Sequence, residues 1–312
     1  MSKPKVLQLP PVRFAQEKWQ ELADLGVEVI TTDVNNRQDF LKELTSDKYN
    51  NLIGIARTFE SVKITGRFDE ELIEKLPSSV KVIAHNVDGP TADTNVFLIL
   101  SCLRNFQESH DHLIAGEWLT KKCGGTPIGN DPTGKIVGIF GMGGIGRAVR
   151  DRLKPFGFKE IIYHNRKKLS PDLENGANYV SFEELLTKSD IISINIPLNP
   201  NTKHIINQQA IDKMKKGVII VNTARGAVID ESILPKNIKS GKIKAFGSDV
   251  FENEPKISSD LINLPNVISL PHMGTHTFET MKAMEEFVVE NIESYLNSGK
   301  VKAIVPEQSS LF

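Results

Sequence analysis

The sequence has few cysteines, no long apolar run and almost no net charge, and each of these absences excludes a class of protein. Two cysteines, Cys102 and Cys123, among 312 residues form neither a disulfide framework nor a metal-ligand spacing. The longest apolar runs, such as residues 96–100, are far shorter than the ~18 residues of a membrane span. The 38 basic and 39 acidic residues leave a net charge of -1, which supplies no field to attract nucleic acid. We expect a folded cytoplasmic protein that binds neither membrane nor nucleic acid.

Short apolar segments alternate with amphipathic helical segments, which is typical of α/β proteins. A first series of strands is predicted at residues 6–9, 27–30, 52–55 and 80–83, and a second at 136–140, 161–164, 191–195, 218–221, 245–247 and 267–270. Residues 92–106 are apolar on most sides and predict a buried helix. A helix over 278–296 is long enough to return to the first domain. The sequence therefore predicts two parallel sheets in tandem, with one domain at 1–90 and 277–312 and another at 91–276.

One proline conflicts with the predicted helices of the second domain. Pro235 stands five residues after Asp230, a residue type that caps helices. We therefore expect Pro235 to lie inside a helix and to remove one backbone hydrogen bond there.

A glycine-rich segment between a strand and a helix predicts a dinucleotide site. The sequence GMGGIG, in which the pattern residues are Gly141, Gly143, Gly144, Ile145 and Gly146, follows KIVGIF and opens IGRAVRDRLKPF. In GxGxxG the first glycine permits the tight turn, the second lets the pyrophosphate approach the backbone, and the third lets helix pack on strand. This context predicts a Rossmann doubly wound sheet that binds NAD(P).

The next strand ends without the carboxylate that would hold the ribose of NAD. That position carries Asn165, Arg166 and Lys167. A guanidinium can bind a 2′-phosphate through paired charge-assisted hydrogen bonds, and a lysine adds charge. The sequence therefore favours NADP(H) over NAD(H). A solvated basic loop, with Asn165 hydrogen-bonded to NAD ribose, is the alternative.

Three segments of the second half place chemically active side chains at strand ends. Arg225 lies in NTARG, Glu252 and Glu254 lie in DVFENEP, and His272 lies in LPHMGT. The carboxyl ends of parallel strands line the ligand crevice of an open sheet, so these residues can converge there. His272 and His276 do not predict a zinc site, because Met, Gly and Thr separate them rather than the glutamate of a metalloprotease helix. We expect no metal.

These sequence motifs resemble those of the D-isomer-specific 2-hydroxyacid dehydrogenases, and within that family those of the fungal glyoxylate/hydroxypyruvate reductases. GMGGIGRAV, YHNR, INIPLNPNTKHIIN, VIIVNTARGAVID, DVFENEP and LPHMGTHTFET occur in the order of that family and extend over nearly the whole chain. The resemblance implies that Arg225 binds the substrate carboxylate, His272 supplies the proton and Glu254 orients His272. It also implies a smaller flavodoxin-like substrate domain, a homodimer, and cofactor contacts at Pro197, Thr202, Thr223, Ala224 and Asp249.

The chain departs from the family pattern in the substrate domain. The glycine-rich loop after the fourth strand, whose amides help to hold the substrate carboxylate in the family, is replaced by a direct connection over residues 85–92, and about one αβ unit is missing. Three explanations are open: the loop from Asn86 to Gly89 substitutes, activity is lost, or a coding segment is absent.

The leading prediction is an NADPH-dependent reductase of small 2-keto acids, such as glyoxylate or hydroxypyruvate. Hydride transfer to the ketone carbon is accompanied by protonation from His272. The alternative is a catalytically impaired NAD(P)-binding sensor or corepressor-like protein, which keeps the cofactor site without turnover. The intact set of Arg225, Glu254 and His272 favours the enzyme, and the altered loop favours the alternative.

Overall fold

The computed structural model describes residues 3–10, 12–58, 60–85, 91–305 and 308. The chain divides into two compact units, the first within Met1–Asp88 and His276–Phe312 and the second within Gly89–Thr275. The loop from Asn86 to Gly89 lies outside the described residues. Among the described residues, no helix combines the length and the apolar composition that crossing a bilayer requires.

The first unit contains a parallel four-stranded sheet. Its strands are β1 (Lys5–Gln8), β2 (Glu28–Ile30), β3 (Leu52–Arg57) and β4 (Val82–His85). The helices of this part of the chain are α1 (Gln16–Asp24), α2 (Arg37–Glu43), α3 (Val62–Thr65) and α4 (Glu70–Lys75). The strand order β2-β1-β3-β4 is the flavodoxin-type order without its fifth strand. Within the described ranges, the sheet therefore ends at β4.

The second unit contains a parallel seven-stranded sheet. Its strands are β5 (Ile136–Phe140), β6 (Glu160–His164), β7 (Asn178–Tyr179), β8 (Ile191–Ile194), β9 (Val218–Asn222), β10 (Ile243–Ser248) and β11 (Val267–Ser269). Its helices are α5 (Thr91–Arg104), α6 (Phe106–Ile114), α7 (Gly144–Leu153), α8 (Pro171–Glu174), α9 (Phe182–Lys188), α10 (Gln208–Lys213), α11 (Leu234–Lys239) and α12 (Ser259–Ile262). The order β11-β10-β9-β8-β5-β6-β7 is the Rossmann order, and it reverses between β5 and β8. The α/β prediction with a doubly wound sheet is confirmed.

The last helix, α13 (Phe278–Ser298), returns to the first unit. Its apolar residues Val288, Val289 and Ile292 pack with Trp19 of α1 on one face of the sheet. The other face is covered by a second cluster that includes Phe40, Tyr49 and Leu72. Successive residues of β1 alternate between these two clusters, with Val6 in one and Leu7 in the other, as the two-residue period of a strand requires.

Helix α5 crosses the core of the second unit. Leu98, Ile99 and Cys102 are fully buried in a cluster with residues of β5, β8, β9 and β10. The predicted buried helix over 92–106 is therefore confirmed, with the bounds given above. Burial raises the pKa of the Cys102 thiol, which keeps it protonated.

The expectation for Pro235 is wrong. Asp230 accepts from the backbone N–H of Ser232 and begins a separate 3-10 helix, Glu231–Ile233. Helix α11 then starts at Leu234 with Pro235 in its first turn, where no intrahelical N–H is needed. Because the chain forms two short helices, the proline removes no hydrogen bond.

Candidate active site

The glycine-rich loop joins β5 to α7 at the point where the strand order reverses. Gly141 has a φ of +97°, and a Cβ there would lie 2.8 Å from the backbone of Asn195 at the end of β8. A Cβ on Gly146 would lie 2.2 Å from the carbonyl oxygen of Gly141. Both positions therefore require glycine, the first for conformation and the second for the close approach of helix to loop.

The other two glycines of this loop are not required by packing against the residues that the structure describes. A Cβ on Gly143 or Gly144 would meet no atom of the described residues within 4 Å. Gly143 is the N-cap of the ten-residue helix α7, so unpaired backbone N–H groups point towards this open space. The buried Oδ1 of Asn195 has no hydrogen-bond partner in the described part of the chain. These features fit a dinucleotide whose pyrophosphate lies at the start of α7.

Hydrogen bonds fix the loop after β6 in place, while two of its basic side chains are exposed. The Asn165 Oδ1 accepts from the N–H of Met142 in the glycine-rich loop at 2.7 Å. The Tyr163 hydroxyl accepts from the N–H of Leu169 and donates to Glu174, and burial together with Glu174 raises the pKa of Tyr163 to about 12. The side chains next to Asn165, Arg166 and Lys167, are exposed.

His272 and Glu254 form a hydrogen-bonded pair at the end of the sheet. The Nδ1 of His272 lies 2.7 Å from Oε2 of Glu254. The N–H of Phe251 donates to Oε1 of the same carboxylate at 2.7 Å. Because a carboxylate only accepts, Nδ1 carries the hydrogen in this pair, which leaves Nε2 for an external partner.

Asp249 fixes the segment that carries His272. Its two carboxylate oxygens accept from the N–H groups of Met273 at 2.8 Å and Gly274 at 2.7 Å. Burial raises the pKa of Asp249, whereas these two backbone donors oppose the rise. Asp249 thus positions the histidine loop, a contact that the sequence did not indicate.

The Arg225 segment packs directly against the Glu254 segment. A Cβ on Gly226 would lie 1.9 Å from the carbonyl carbon of Phe251, so only glycine fits there. The carboxylate of Glu231 also accepts from the N–H of Glu252 at 2.6 Å. The side chain of Arg225 is exposed and donates to the carbonyl of Ala224. Since β9, β10 and β11 are neighbours, Arg225, Glu254 and His272 follow the ends of three adjacent strands.

A second histidine-carboxylate pair lies beside the first. The Nε2 of His204 is 2.7 Å from Oε1 of Glu252, so the two glutamates of DVFENEP have separate partners. Burial and the neighbouring charges of Glu252 and Glu254 raise the pKa of Glu231. Sequence reasoning missed His204 and Glu231, and the only signal for them was their place in the segments NTKHIIN and GAVIDES.

The remaining residues expected at the cofactor lie near the same sheet edge. Thr202 donates to the carbonyl of Pro197 at 2.7 Å and closes a turn after β8. The Thr223 hydroxyl accepts from the fully buried Asn95 at 2.8 Å, and Asn95 in turn accepts from Ser193. Ala224 donates its N–H to Asn222. The Asn95 network, which links α5 to the ends of β8 and β9, was also missed by sequence reasoning.

Fold and site together define an oxidoreductase of the Rossmann type. The family model "D-isomer specific 2-hydroxyacid dehydrogenase, NAD binding domain" matches residues 96–274, and the chain belongs to the D-isomer-specific 2-hydroxyacid dehydrogenases. It therefore contains an NAD-binding domain.

Named relatives and a solved structure are similar over almost their whole lengths. Glyoxylate reductase 1 of Saccharomyces cerevisiae is 48% identical over 334 aligned positions, which cover 98% of this chain and 95% of that protein. 4-Methyl-2-oxopentanoate reductase A of Aspergillus oryzae is 42% identical, with 99% and 100% covered. The crystal structure of a glyoxylate reductase from Paecilomyes thermophila superposes with a TM-score of 0.93 at 43% identity, covering 99% of this chain and 100% of that one. The yeast alignment spans more positions than the 312 residues of this chain. It therefore contains gaps in the sequence of this chain.

Proposed function

We propose that this protein reduces small 2-keto acids, such as glyoxylate and hydroxypyruvate, to 2-hydroxy acids with NADPH. The observation that carries the proposal is the 2.7 Å pair of His272 and Glu254, one strand away from the segment of Arg225 in a Rossmann sheet. The names of the yeast and Paecilomyes relatives support glyoxylate as substrate. The name of the Aspergillus relative makes a branched 2-keto acid the natural comparison.

In this proposal Arg225, His272 and Glu254 each have a separate role toward the substrate. Arg225 binds the carboxylate and polarises the ketone, because its exposed guanidinium donates to the carbonyl of Ala224 and forms no ion pair with any described residue. His272 gives the proton on Nε2 to the ketone oxygen, and Glu254 stabilises the protonated imidazolium through Nδ1. When bound, the reduced nicotinamide supplies the hydride that the ketone carbon accepts.

The preference for NADPH rests on the loop after β6. Lys168 lies 3.8 Å from Glu174, whereas Arg166 and Lys167 form no ion pair within the described ranges. Their charges are therefore available to a 2′-phosphate. The Asn165 Oδ1 is engaged by the glycine-rich loop, which favours Arg166 as the main contact. Pro197, Thr202, Thr223, Ala224 and Asp249 complete our proposed cofactor set.

We also propose a homodimer that forms through an exposed apolar surface on the second unit. This surface comprises large side chains on α6 and the turns that follow it: Phe106 at 48% exposure, Leu113 at 51%, Ile114 at 74%, Trp118 at 66%, Leu119 at 91% and Ile128 at 96%. Contiguous apolar surface of this kind marks an association site. Light scattering of Leu119→Asp should show a monomer where the parent is a dimer, and Ile262→Asp, on α12, should stay dimeric.

A cytoplasmic location is part of the proposal. Cys102 and Cys123 are both free thiols, as expected in a reducing compartment.

The test of the activity is a paired assay. NADPH oxidation is followed with glyoxylate, hydroxypyruvate and 4-methyl-2-oxopentanoate, beside a direct NADPH binding titration. Turnover with the small acids supports the reductase and ranks its substrates. Tight binding without turnover would instead support the sensor, which is the weaker candidate because the His272–Glu254 pair is fully assembled.

A further inference from the structure

A fully buried tyrosine fixes the end of the loop that follows β6. This basic loop, residues 165–169, contains three consecutive basic side chains. The hydroxyl of Tyr163 accepts from the N–H of Leu169 at 2.9 Å and donates to Oε1 of Glu174 at 2.7 Å. The side chain of Tyr163 has no exposed surface. Because its hydroxyl donates and accepts at once, it has a defined orientation and holds the backbone at Leu169.

Two other hydrogen bonds fix the start of the basic loop. The Oδ1 of Asn165 accepts from the N–H of Met142 at 2.7 Å, and the carbonyl of Asn165 accepts from the hydroxyl of Tyr179 at 3.2 Å. Tyr179 lies in β7, which pairs with β6. Its ring meets that of Tyr163 edge to face, with 5.4 Å between the ring centroids. The three basic residues therefore lie between two anchored backbone positions.

The anchor at Tyr163 is connected to the helix that begins at the glycine-rich loop. Arg150 of α7 is buried, and its guanidinium donates to the carbonyls of Leu173 and Glu174 in α8. The side chain of Glu174 in turn accepts from the Tyr163 hydroxyl. Hydrogen bonds thus connect the basic loop to α7, the helix whose start fits the pyrophosphate.

Fixed placement of the basic loop favours the recognition of a phosphate. A guanidinium binds a phosphate best through two parallel hydrogen bonds, which require one orientation of the side chain. A loop that is ordered before binding loses less conformational entropy when the phosphate binds. Lys168 lies 3.8 Å from Glu174, which leaves Arg166 and Lys167 for the phosphate.

We propose that Tyr163 and Tyr179 are positioning residues for the 2′-phosphate of NADPH. Their hydroxyls order the basic loop and thereby the two side chains of Arg166 and Lys167. Tyr163 acts through the loop rather than by contact with the cofactor, because it is fully buried. NADH has a hydroxyl in place of the 2′-phosphate, so its binding depends far less on these basic side chains. The inference rests on the proposed preference for NADPH and adds the residues that support it.

The test removes one oxygen atom and no charge. Tyr163→Phe deletes the hydroxyl and keeps the ring. The Kd values of NADPH and NADH are measured by isothermal titration calorimetry without substrate, so that the readout does not involve turnover. The ratio of the Kd for NADH to that for NADPH should fall about two- to tenfold, the factor for one net hydrogen bond. The fall should come from weaker binding of NADPH, with little change in the Kd of NADH.

Tyr49→Phe is the matched control. Tyr49 is also fully buried, and its hydroxyl donates to the carboxylate of Glu43 at 2.8 Å. It belongs to the first unit, whereas the basic loop belongs to the second. The control therefore loses an equivalent hydrogen bond outside the unit that contains the basic loop. It should keep the cofactor ratio of the parent.

Tyr179→Phe is a second variant, and it decides the matter if Tyr163→Phe fails to fold by circular dichroism. It removes the hydrogen bond to the carbonyl of Asn165 at the other end of the basic loop. The ratio of the two Kd values should fall in the same direction as in Tyr163→Phe. An unchanged ratio would contradict the ordering of the loop by these hydroxyls.

Other results would also overturn the inference. Equal weakening of NADPH and NADH in Tyr163→Phe would assign the residue to the general stability of the second unit. A fall of the ratio in Tyr49→Phe as large as in Tyr163→Phe would have the same meaning. A parent that binds both cofactors equally contradicts the proposed NADPH preference and this inference with it. A preference that survives in both Tyr163→Phe and Tyr179→Phe contradicts this inference alone.

Discussion

Glu254 holds His272 in one orientation, with 2.7 Å between Oε2 of the glutamate and Nδ1 of the histidine. The second oxygen of Glu254 is fixed by the N–H of Phe251, so the carboxylate cannot rotate away without losing a hydrogen bond. His272 itself has a φ of 55°, an uncommon conformation for a non-glycine residue. The histidine is thus constrained by both its backbone and its partner, which suits a group that must present Nε2 to a substrate.

Replacing His272 should remove the proton donor. We expect His272→Ala to lower kcat with glyoxylate by about two to four orders of magnitude, the usual contribution of a general acid. His204→Ala is the matched control, because His204 forms the neighbouring pair with Glu252 at the same 2.7 Å. The control should lose far less activity, and equal losses in both variants would assign the effect to loop structure rather than to proton transfer.

Arg166 should decide between the two cofactors. Arg166→Asp replaces a phosphate-binding charge by a carboxylate that repels phosphate and can accept from a ribose hydroxyl. The ratio of kcat/KM for NADPH to that for NADH should fall about tenfold or more, as the loss of one charge-assisted hydrogen bond predicts. Lys159→Asp makes the same change of charge at the other end of β6, just before the strand begins. It should leave the NADPH-to-NADH ratio of kcat/KM unchanged. A ratio unchanged in Arg166→Asp would remove Arg166 from the site.

Two glycines of the same loop should respond in opposite ways to alanine. A Cβ on Gly143 meets no atom of the described part of the chain within 4 Å, so Gly143→Ala should fold normally but bind NADPH more weakly. A Cβ on Gly146 would lie 2.2 Å from the carbonyl oxygen of Gly141, so Gly146→Ala should be destabilised by about 1 to 3 kcal/mol or more. Thermal unfolding and NADPH titration of both variants make the comparison. Unimpaired NADPH binding by Gly143→Ala would argue against a pyrophosphate at this position.

Glu231 should make stability depend on pH. Burial and the charges of Glu252 and Glu254 raise the pKa of Glu231, so its ionised form is disfavoured in the folded protein. This destabilisation is absent below the unfolded pKa of about 4.3 and becomes complete as the pH rises through the folded pKa. Glu231→Gln removes the charge and keeps an oxygen for the N–H of Glu252.

The expected result is a difference in melting temperature that changes with pH. Relative to the parent, Glu231→Gln should become progressively more stable between acid and neutral pH. Glu183→Gln, at an exposed surface position, should show no comparable trend. A constant difference between Glu231→Gln and the parent would mean that Glu231 titrates alike in the folded and unfolded chains.

Local features of the sequence predicted most of the elements. The strand that the pattern placed at 136–140 is β5 (Ile136–Phe140), and the helix placed at 278–296 is α13 (Phe278–Ser298). These elements follow from side-chain periodicity and from glycine, both of which act over a few residues. Pro235 was misplaced because a break between two short helices leaves no mark on the apolar period.

The sequence by itself determined the parallel sheets and the glycine-rich turn, because apolar periodicity and the φ of +97° at Gly141 are local requirements. Tertiary structure decided which glutamate meets which histidine. Glu254 meets His272 across 18 residues and Glu252 meets His204 across 48. The family resemblance favoured Glu254 as the partner of His272, but the local pattern gave no partner for Glu252. Such pairs depend on distances through space that no spacing along the sequence records.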